Sequence, residues 1–177
     1  MREKPERNNI ILIGFMATGK SAIGRLLARK LGRSFVDTDE IIEQREGKPI
    51  RLIFKEKGEP YFRELESRVV AEVASRQNSV IACGGGAIVN PQSLKLLKES
   101  GWLVCVTATP ETVLARAGTP SDRPLLCTPD PPAEIRRLLK DREPYYSQAD
   151  FTVPTDNLTE REVANQIERV LSKEGYL

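Results

Sequence analysis

Histidine is missing from this sequence of 177 residues. The imidazole ring is the commonest general base in enzymes and a frequent metal ligand. Its absence excludes every Ser-His or Cys-His nucleophile pair and every histidine-metal site. Any catalysis by this chain must therefore use carboxylates, lysine, arginine, backbone amides or a bound ion.

Cysteine is scarce as well, with three residues at widely separated positions, Cys83, Cys105 and Cys127. An odd number at these spacings fits neither a zinc site nor a disulfide framework. We therefore expect reduced thiols and a cytoplasmic protein.

Long apolar runs are also missing, because the longest comprise a handful of residues and a bilayer span needs about 20. The opening stretch "MREKPERNN" lacks the apolar segment of a signal peptide. We expect no membrane association. The stretch is polar, and we expect residues 1–8 to form a flexible tail.

No strong charge of one sign is present, since 27 basic and 25 acidic residues are mixed along the chain and give a net charge of +2. A nucleic-acid binder usually shows a concentrated basic face. We therefore expect a small anionic ligand and no nucleic acid. The length suits one domain, residues 1–177.

Five short apolar runs alternate with helical patterns along the chain. The predicted strands are 10–13, 34–36, 79–83, 102–108 and 151–153. Helices are predicted from Ser21 to Gly32, from Ile41 to Gly47 and from Thr159 onward. Five more are predicted in the stretches "PIRLIFKEKG", "EPYFRELESRVVAEVASR", "PQSLKLLKESG", "PETVLARAG" and "AEIRRLLKDREPYY". This alternation predicts an α/β three-layer sandwich with a five-stranded parallel sheet, whose ligands gather at the carboxyl ends of the strands.

The stretch "GFMATGKS", residues 14–21, fits G-x-x-x-x-G-K-[ST] between a predicted strand and a predicted helix. Backbone N–H groups around such a bend, with the positive end of the helix, form a nest for phosphates. Lys20 adds a charge for the β- and γ-phosphates, and Ser21 offers a hydroxyl to Mg²⁺. The alternative is a plain glycine-rich turn with a solvated lysine.

Two carboxylates, Asp37 and Asp39, follow the second predicted strand in "DTD". Alternate residues of an extended segment point the same way, so both could face the phosphate site. The alternative for Asp39 is a helix N-cap before "EIIE".

Three further features follow strands or lie near them. Arg63 and Glu66 in "FRELE" form either a functional pair or a surface ion pair. The glycines at 84–86 are either a flexible turn or a place where backbone amides approach a ligand. The segment "GTPSDRPLLCTPDPP" is long for a loop, so we expect a mobile lid at about 117–131 that contains Arg123, with a solvated arginine as the alternative.

Several of these stretches resemble the shikimate kinase family: "GFMATGKSAIGRLLARKLGRSFVDTDEIIE", "FRELE", "GGGAIV", "DRPLL" and "DREPYYSQAD". The resemblance covers nearly the whole chain after the tail. It implies a P-loop NTPase fold of the nucleoside monophosphate kinase type with a mobile lid. The implied reaction is ATP-dependent phosphorylation of the 3-hydroxyl of shikimate, with Mg²⁺, in chorismate and aromatic amino acid biosynthesis.

The resemblance also assigns roles on the acceptor side. Asp39 takes the acceptor hydroxyl, as a base or as an orienting acceptor, and Asp37 joins Ser21 at Mg²⁺ through water. Arg63, fixed by Glu66, and Arg142 bind the substrate carboxylate. Gly84, Gly85 and Gly86 lie under the ring hydroxyls, and residues 33–62 form the substrate-binding region. The catalytic residues are then Lys20, Asp39 and Arg123.

On the nucleotide side, the resemblance places Arg123 over the phosphates and Arg116 on adenine, with "PTDNL" as the adenine loop. The implied nucleotide-binding residues are Gly14, Ala17, Thr18, Gly19, Lys20, Ser21, Ala22, Arg116, Arg123 and Asn157. Ala17 stands where the family often has glycine, and alanine serves there if its φ is negative.

Two rivals remain open at this point. One is a similar kinase for gluconate or a nucleoside monophosphate, and the other is a nucleotide-binding module that has lost catalysis. We expect a monomer, although no residue pattern indicates the oligomeric state.

Overall fold

The computed structural model describes residues 7–118 and 123–177. Residues 1–6 of the expected tail and residues 119–122 of the expected lid lie outside the described residues. The strands are β1 (Asn9–Ile13), β2 (Ser34–Asp37), β3 (Ser79–Ala82), β4 (Gly101–Thr107) and β5 (Phe151–Pro154). They pair in parallel in the order β2-β3-β1-β4-β5, so the predicted parallel sheet is confirmed.

The helices occupy the predicted places. They are α1 (Lys20–Leu31), α2 (Thr38–Glu46), α3 (Ile50–Ala74), α4 (Pro91–Ser100), α5 (Pro110–Arg116), α6 (Pro131–Tyr146) and α7 (Glu160–Lys173). Single 3₁₀ turns at Ala87–Val89 and Pro124–Leu126 were not predicted.

The side chains of the central strand alternate between two apolar cores. Ile10 and Leu12 of β1 pack in one core with residues of α1 and α7, while Ile11 and Ile13 pack in the other with residues of α3, α4 and α6. A buried strand must present apolar side chains to both faces when helices cover both. The three-layer sandwich is therefore confirmed.

Two element boundaries differ from the expectation. Helix α2 begins at Thr38, earlier than its apolar residues suggest, because the carboxylate of Asp37 accepts hydrogen bonds from the N–H groups of Asp39 and Glu40. Asp37 is the N-cap, so the alternative that assigned the cap to Asp39 is wrong. Helix α3 contains a kink at Gly58 with φ 81° and ψ 169°, which separates the two helices expected there.

The order of the strands brings three loops together at one edge of the sheet. β1 lies between β3 and β4, and β3 lies between β1 and β2. The loops after β1, β2 and β3 contain "GKS", "DTD" and the three glycines. Since parallel strands end at the same edge, these loops are neighbours, as expected.

Among the described helices, none combines the length and the apolar character that crossing a bilayer requires.

Candidate functional site

The bend between β1 and α1 is fixed by glycine at its first position. Gly14 has φ 138°, and a Cβ there would lie 2.1 Å from the carbonyl oxygen of Val106 in β4. Thr18 is fully buried and donates to the carbonyl oxygen of Phe15 at 2.9 Å. Gly19, at φ 88°, precedes the first residue of α1, and the exposed Ala22 lies in the first turn of that helix. The bend thus presents a helix N-terminus that suits an anion.

Ala17 corrects one expectation about this bend. Its φ is +59°, in the left-handed region, where the sequence reasoning required a negative φ. For a residue with a Cβ, this conformation costs roughly 1 to 2 kcal/mol.

Lys20 lies at the centre of the bend, where its ammonium donates to the carbonyl oxygen of Phe15 at 2.6 Å. Burial lowers the pKa of Lys20 to about 8, although the negative charges of Asp39 and Asp37 favour the ammonium form. Arg123 also lowers this pKa, so the two cations lie near enough to repel. A bound polyanion would relieve that repulsion.

Ser21 and Asp37 come from different loops and meet directly. The Ser21 hydroxyl donates to Oδ2 of Asp37 at 2.5 Å, while Oδ1 of Asp37 caps α2. Within the described ranges, no group of three or more His, Cys, Asp or Glu side chains is placed to hold a metal. Mg²⁺ at phosphate sites takes most ligands from water and phosphate and only one or two from protein oxygens. A hydroxyl beside a carboxylate fits this pattern.

Asp39 lies in the first turn of α2, and one of its oxygens is left without a partner. Oδ1 of Asp39 and Oε1 of Glu66 are buried and have no hydrogen bond within the described residues. Burial raises the pKa of Asp39 to about 7, helped by Glu66 and Asp37 and opposed by Lys20. Buried acceptors without partners are rare in folded proteins, so two of them beside Gly84 indicate that this place is kept for more than stability.

Arg63 is surrounded by carboxylates of its own helix. Nη1 donates to Oε2 of Glu66 at 2.7 Å, and Nε and Nη2 donate to Oε1 of Glu59 at 3.1 and 3.0 Å. Burial raises the pKa of Glu66, whereas Arg63 lowers it. The Glu66 side chain is only 4% exposed, so this contact is not the surface ion pair left open above.

Two of the three glycines, Gly84 and Gly86, have a structural reason in addition to the one expected. A Cβ at Gly84 would lie 2.6 Å from Oδ1 of Asp39 and 2.6 Å from Oε1 of Glu66, and one at Gly86 would lie 2.4 Å from Nη1 of Arg63. The glycines therefore make room first for the protein's own charged side chains. The N–H of Gly84 is already bound to the hydroxyl of Thr38 at 2.9 Å.

The amides of Gly85 and Gly86 differ from that of Gly84. Among the described residues, neither N–H group has an acceptor, and both residues line the cleft. The expectation that backbone amides face a ligand here is thus restricted to these two residues, and it stays a prediction.

Arg142 reaches the glycines from α6. Its Nη1 donates to the carbonyl oxygen of Gly85 at 3.1 Å, and its guanidinium lies 5.3 Å from the ring centre of Phe15. The residue is buried, and within the described residues it has no carboxylate partner. Such a guanidinium is ready to pair with a ligand anion.

These groups line one cleft of about 410 Å³, a size typical of small-molecule sites. The predicted residues in its wall are Ser21, Asp37, Asp39, Arg63, Gly84, Gly85, Gly86, Arg123 and Arg142. Sequence reasoning missed Phe54 and treated Phe62 only as core. Their rings lie 4.8 Å apart and form an apolar wall. Helical spacing alone cannot separate a cleft wall from a core face.

The remaining nucleotide-side residues lie outside this wall. Arg116 donates to the hydroxyl and carbonyl oxygens of Thr155 at 2.9 and 3.1 Å, and Asn157 has φ 58° in the same loop. Thr155 in turn donates from its N–H to Thr107, next to the Val106 carbonyl that faces Gly14. Arg116 and the "PTDNL" loop therefore lie together, beside the bend.

Comparisons with known proteins agree with one another. The family model for shikimate kinase matches residues 16–172. A shikimate kinase of Moorella thermoacetica is 48% identical over 163 residues, which cover 92% of this chain and 94% of that protein.

Solved structures give the same result. A shikimate kinase from Acinetobacter baumannii in complex with shikimate is 38% identical, with a TM-score of 0.92 and coverage of 96% of this chain and 95% of the other. A gluconokinase from Sinorhizobium meliloti has a TM-score of 0.59 over 97% of this chain and 98% of its own, but only 16% identity, so it shows the shared fold alone.

Proposed function

Because this chain belongs to the shikimate kinase family, we propose that it transfers the γ-phosphoryl group of ATP to the 3-hydroxyl of shikimate. The reaction is a step in the biosynthesis of chorismate and the aromatic amino acids. The single observation that carries the proposal is the position of the Asp39 carboxylate, which lines one cleft together with two guanidiniums that can take an acid.

The first part of the proposal concerns the phosphates of ATP. The N–H groups of the bend at 14–21 and of the first turn of α1 bind the phosphates, with Lys20 as the mobile charge. Phosphate oxygens then replace the Phe15 carbonyl as partner of the Lys20 ammonium. A buried lysine gains most from such an anion, because burial otherwise penalises its charge.

The second part concerns the metal. Ser21 and Asp37 hold Mg²⁺, with Asp37 acting through water, and their direct contact of 2.5 Å supports this pairing. When bound, Mg²⁺ neutralises charge on the β- and γ-phosphate oxygens. Asp37 also caps α2. The side chain proposed to bind the metal therefore also fixes the start of the helix that carries Asp39.

The third part concerns the acceptor. Arg63 and Arg142 bind the carboxylate of shikimate, and the carboxylate of Asp39 accepts a hydrogen bond from the hydroxyl that will be phosphorylated. Charge-assisted bonds of this kind each contribute about 1.5 to 3 kcal/mol. The N–H groups of Gly85 and Gly86 face the ring hydroxyls, and Phe54 and Phe62 lie along an apolar wall of the same cleft.

Phosphoryl transfer passes through a loose transition state, so positioning and charge neutralisation supply most of the catalysis. Lys20 and Arg123 neutralise the transferring group, and Asp39 orients the hydroxyl or takes its proton. We assign the region 117–131 as a lid that excludes water when it closes. Arg116 and the loop with Asn157 bind adenine, which their contact through Thr155 supports.

A monomeric state and a cytoplasmic location remain parts of the proposal. A cytoplasmic location would supply the ATP that the reaction consumes.

A panel of acceptors tests the function. Purified protein with MgATP is given shikimate, gluconate or nucleoside monophosphates, and ADP release is measured. The proposal expects turnover with shikimate alone. Turnover with gluconate or a nucleotide and none with shikimate would show that the acceptor is a different molecule from the one proposed. ATP binding without turnover on any acceptor would favour a module that has lost catalysis.

A further inference from the structure

Tyr146 is a buried polar side chain that the proposed reaction does not use. Its hydroxyl donates to the carbonyl oxygen of Gly85 at 2.7 Å, and the residue is 8% exposed. Burial raises the pKa of Tyr146 to about 12, so the hydroxyl remains a donor at any working pH. A phenylalanine would fill the same space, so packing alone does not explain the hydroxyl.

The carbonyl of Gly85 has two donors from the same helix. Arg142 and Tyr146 are four residues apart on α6, and therefore on one face, and Nη1 of Arg142 donates to the same oxygen at 3.1 Å. A carbonyl oxygen has two lone pairs, so both contacts are accommodated at once.

These two donors differ in what a ligand does to them. The guanidinium of Arg142 must turn toward the acid of the acceptor to pair with it, and that movement weakens its bond to Gly85. The hydroxyl of Tyr146 also contacts Arg142, but it is uncharged, so the acid of the acceptor does not draw it away from Gly85. It therefore keeps the Gly85 carbonyl satisfied while Arg142 moves, so no buried acceptor is left unpaired.

We propose that Tyr146 is the positioning residue of the glycine loop at 84–89: it fixes the Gly85 carbonyl, releases Arg142 for the acceptor's carboxylate, and aims the N–H groups of Gly85 and Gly86 into the cleft. This inference rests on the proposed function for its kinetic consequence but not for its structural one. The loop is otherwise tied by Thr38 at Gly84 and by two short turns of its own, Ala87 to Gly84 and Val89 to Gly86.

The test compares Tyr146→Phe with Tyr145→Phe in the full chain. Tyr145 is the adjacent residue, half-buried, and its hydroxyl has no protein partner in the described part of the chain. Amide hydrogen exchange is measured without any ligand on peptides covering residues 84–89. Tyr146→Phe is expected to speed this exchange at least about threefold, and Tyr145→Phe to leave it within about twofold of the unchanged protein.

A second variant makes the test independent of how Tyr146→Phe folds. In Arg142→Ala, Tyr146 still holds Gly85, so loop exchange is expected to stay within about twofold although acceptor binding is lost. Fast exchange in Arg142→Ala would show that Arg142, and not Tyr146, holds the loop in place, which would overturn the inference. Unchanged exchange in Tyr146→Phe would overturn it as well.

Kinetics provide the readout that a merely structural role would not change. Tyr146→Phe is expected to raise the acceptor KM about three- to tenfold, with kcat and the KM for ATP within about twofold. An equal rise in the KM for the acceptor and the KM for ATP would show that Tyr146 contributes only to packing. If the unchanged protein shows no turnover with shikimate, the proposed function fails, and the exchange data still decide the role of Tyr146.

Discussion

The guanidinium of Arg63 lies against the backbone of Gly86, so closely that a Cβ at residue 86 would stand 2.4 Å from Nη1 and 2.8 Å from Cζ. Real side chains do not approach so closely, and Arg63 cannot retreat freely because Glu59 and Glu66 hold its other edges. The Arg63 guanidinium can therefore occupy this position only because residue 86 is a glycine and has no Cβ.

Gly86→Ala is expected to displace Arg63 and raise the acceptor KM at least about tenfold, because one of the two groups proposed to bind the carboxylate moves. The KM for ATP should change less than about twofold. Gly175→Ala, near the C-terminus, is the control: its Cβ meets nothing within 4 Å and its φ of 74° adds only local backbone strain, so the acceptor KM should not change. An acceptor KM that stays unchanged in Gly86→Ala would show that Arg63 does not bind the acid.

Arg63→Lys keeps the charge but removes the planar fork of donors. We expect the acceptor KM to rise about 10- to 100-fold with little change in the KM for ATP, since an ammonium cannot bind a carboxylate in the same bidentate way. Arg68→Lys is the matched control, because Arg68 lies on the exposed face of α3 and pairs with Glu64 of the same helix. Equal KM values for the acceptor in the two variants would show that Arg63 does not bind the acceptor.

The parts of the fold that sequence reasoning predicted are those with local causes. The β1 strand is a continuous apolar run, α1 ends at Gly32 in the left-handed region, and the bend at 14–21 follows a fixed spacing. Each of these signals is complete within a few residues. They were sufficient to place the loops at one edge of the sheet.

What sequence reasoning missed depends on contacts between distant segments. The cap of α2 is Asp37 and not Asp39, and the glycines at 84–86 accommodate side chains of α2 and α3 that no local pattern connects to them. Tyr146 has the spacing of a core residue on α6, and only the folded chain shows its hydroxyl against Gly85.

Ala17→Gly tests the strain in the phosphate bend. Relief of the positive φ raises the free energy of unfolding by roughly 1 to 2 kcal/mol. The added conformational freedom of the unfolded chain lowers it by about 0.5 to 1 kcal/mol. The variant is therefore expected to be more stable by about 0.5 to 1 kcal/mol in urea unfolding. Ala71→Gly, on the exposed face of α3, should instead be less stable by a similar amount. A loss of stability in both variants would contradict the strained conformation.

Glu66→Gln tests the buried carboxylate through the dependence of stability on pH. Burial raises the pKa of Glu66 in the folded protein above that of the unfolded chain. The unfolded chain then ionises first as pH rises, so this group contributes stability at low pH that is lost above about pH 4.5. The variant lacks that loss, so its free energy of unfolding should improve relative to the unchanged protein between pH 4.5 and 8. A constant difference across this range would show that Arg63 fully compensates the burial of Glu66.

Asp39→Asn tests the group on which the proposed transfer depends most directly. The amide keeps the size of the side chain but cannot take a proton and is a weaker acceptor for the hydroxyl that attacks. We expect kcat to fall by about 10²- to 10⁴-fold, the usual contribution of a general base, while ATP affinity stays within about threefold. Nucleotide affinity should persist because the proposed phosphate site consists of the backbone of the bend and Lys20, which Asp39 affects through its charge.

The control for this variant is Glu72→Gln on α3, whose carboxylate pairs with Arg45 at the surface, away from the cleft. Its turnover should remain within about twofold of the unchanged protein, since surface pairs contribute little. Calorimetric titration of both variants with ADP separates binding from turnover. A loss of ADP affinity in Asp39→Asn as large as the loss of turnover would show that the carboxylate serves the nucleotide and not the acceptor.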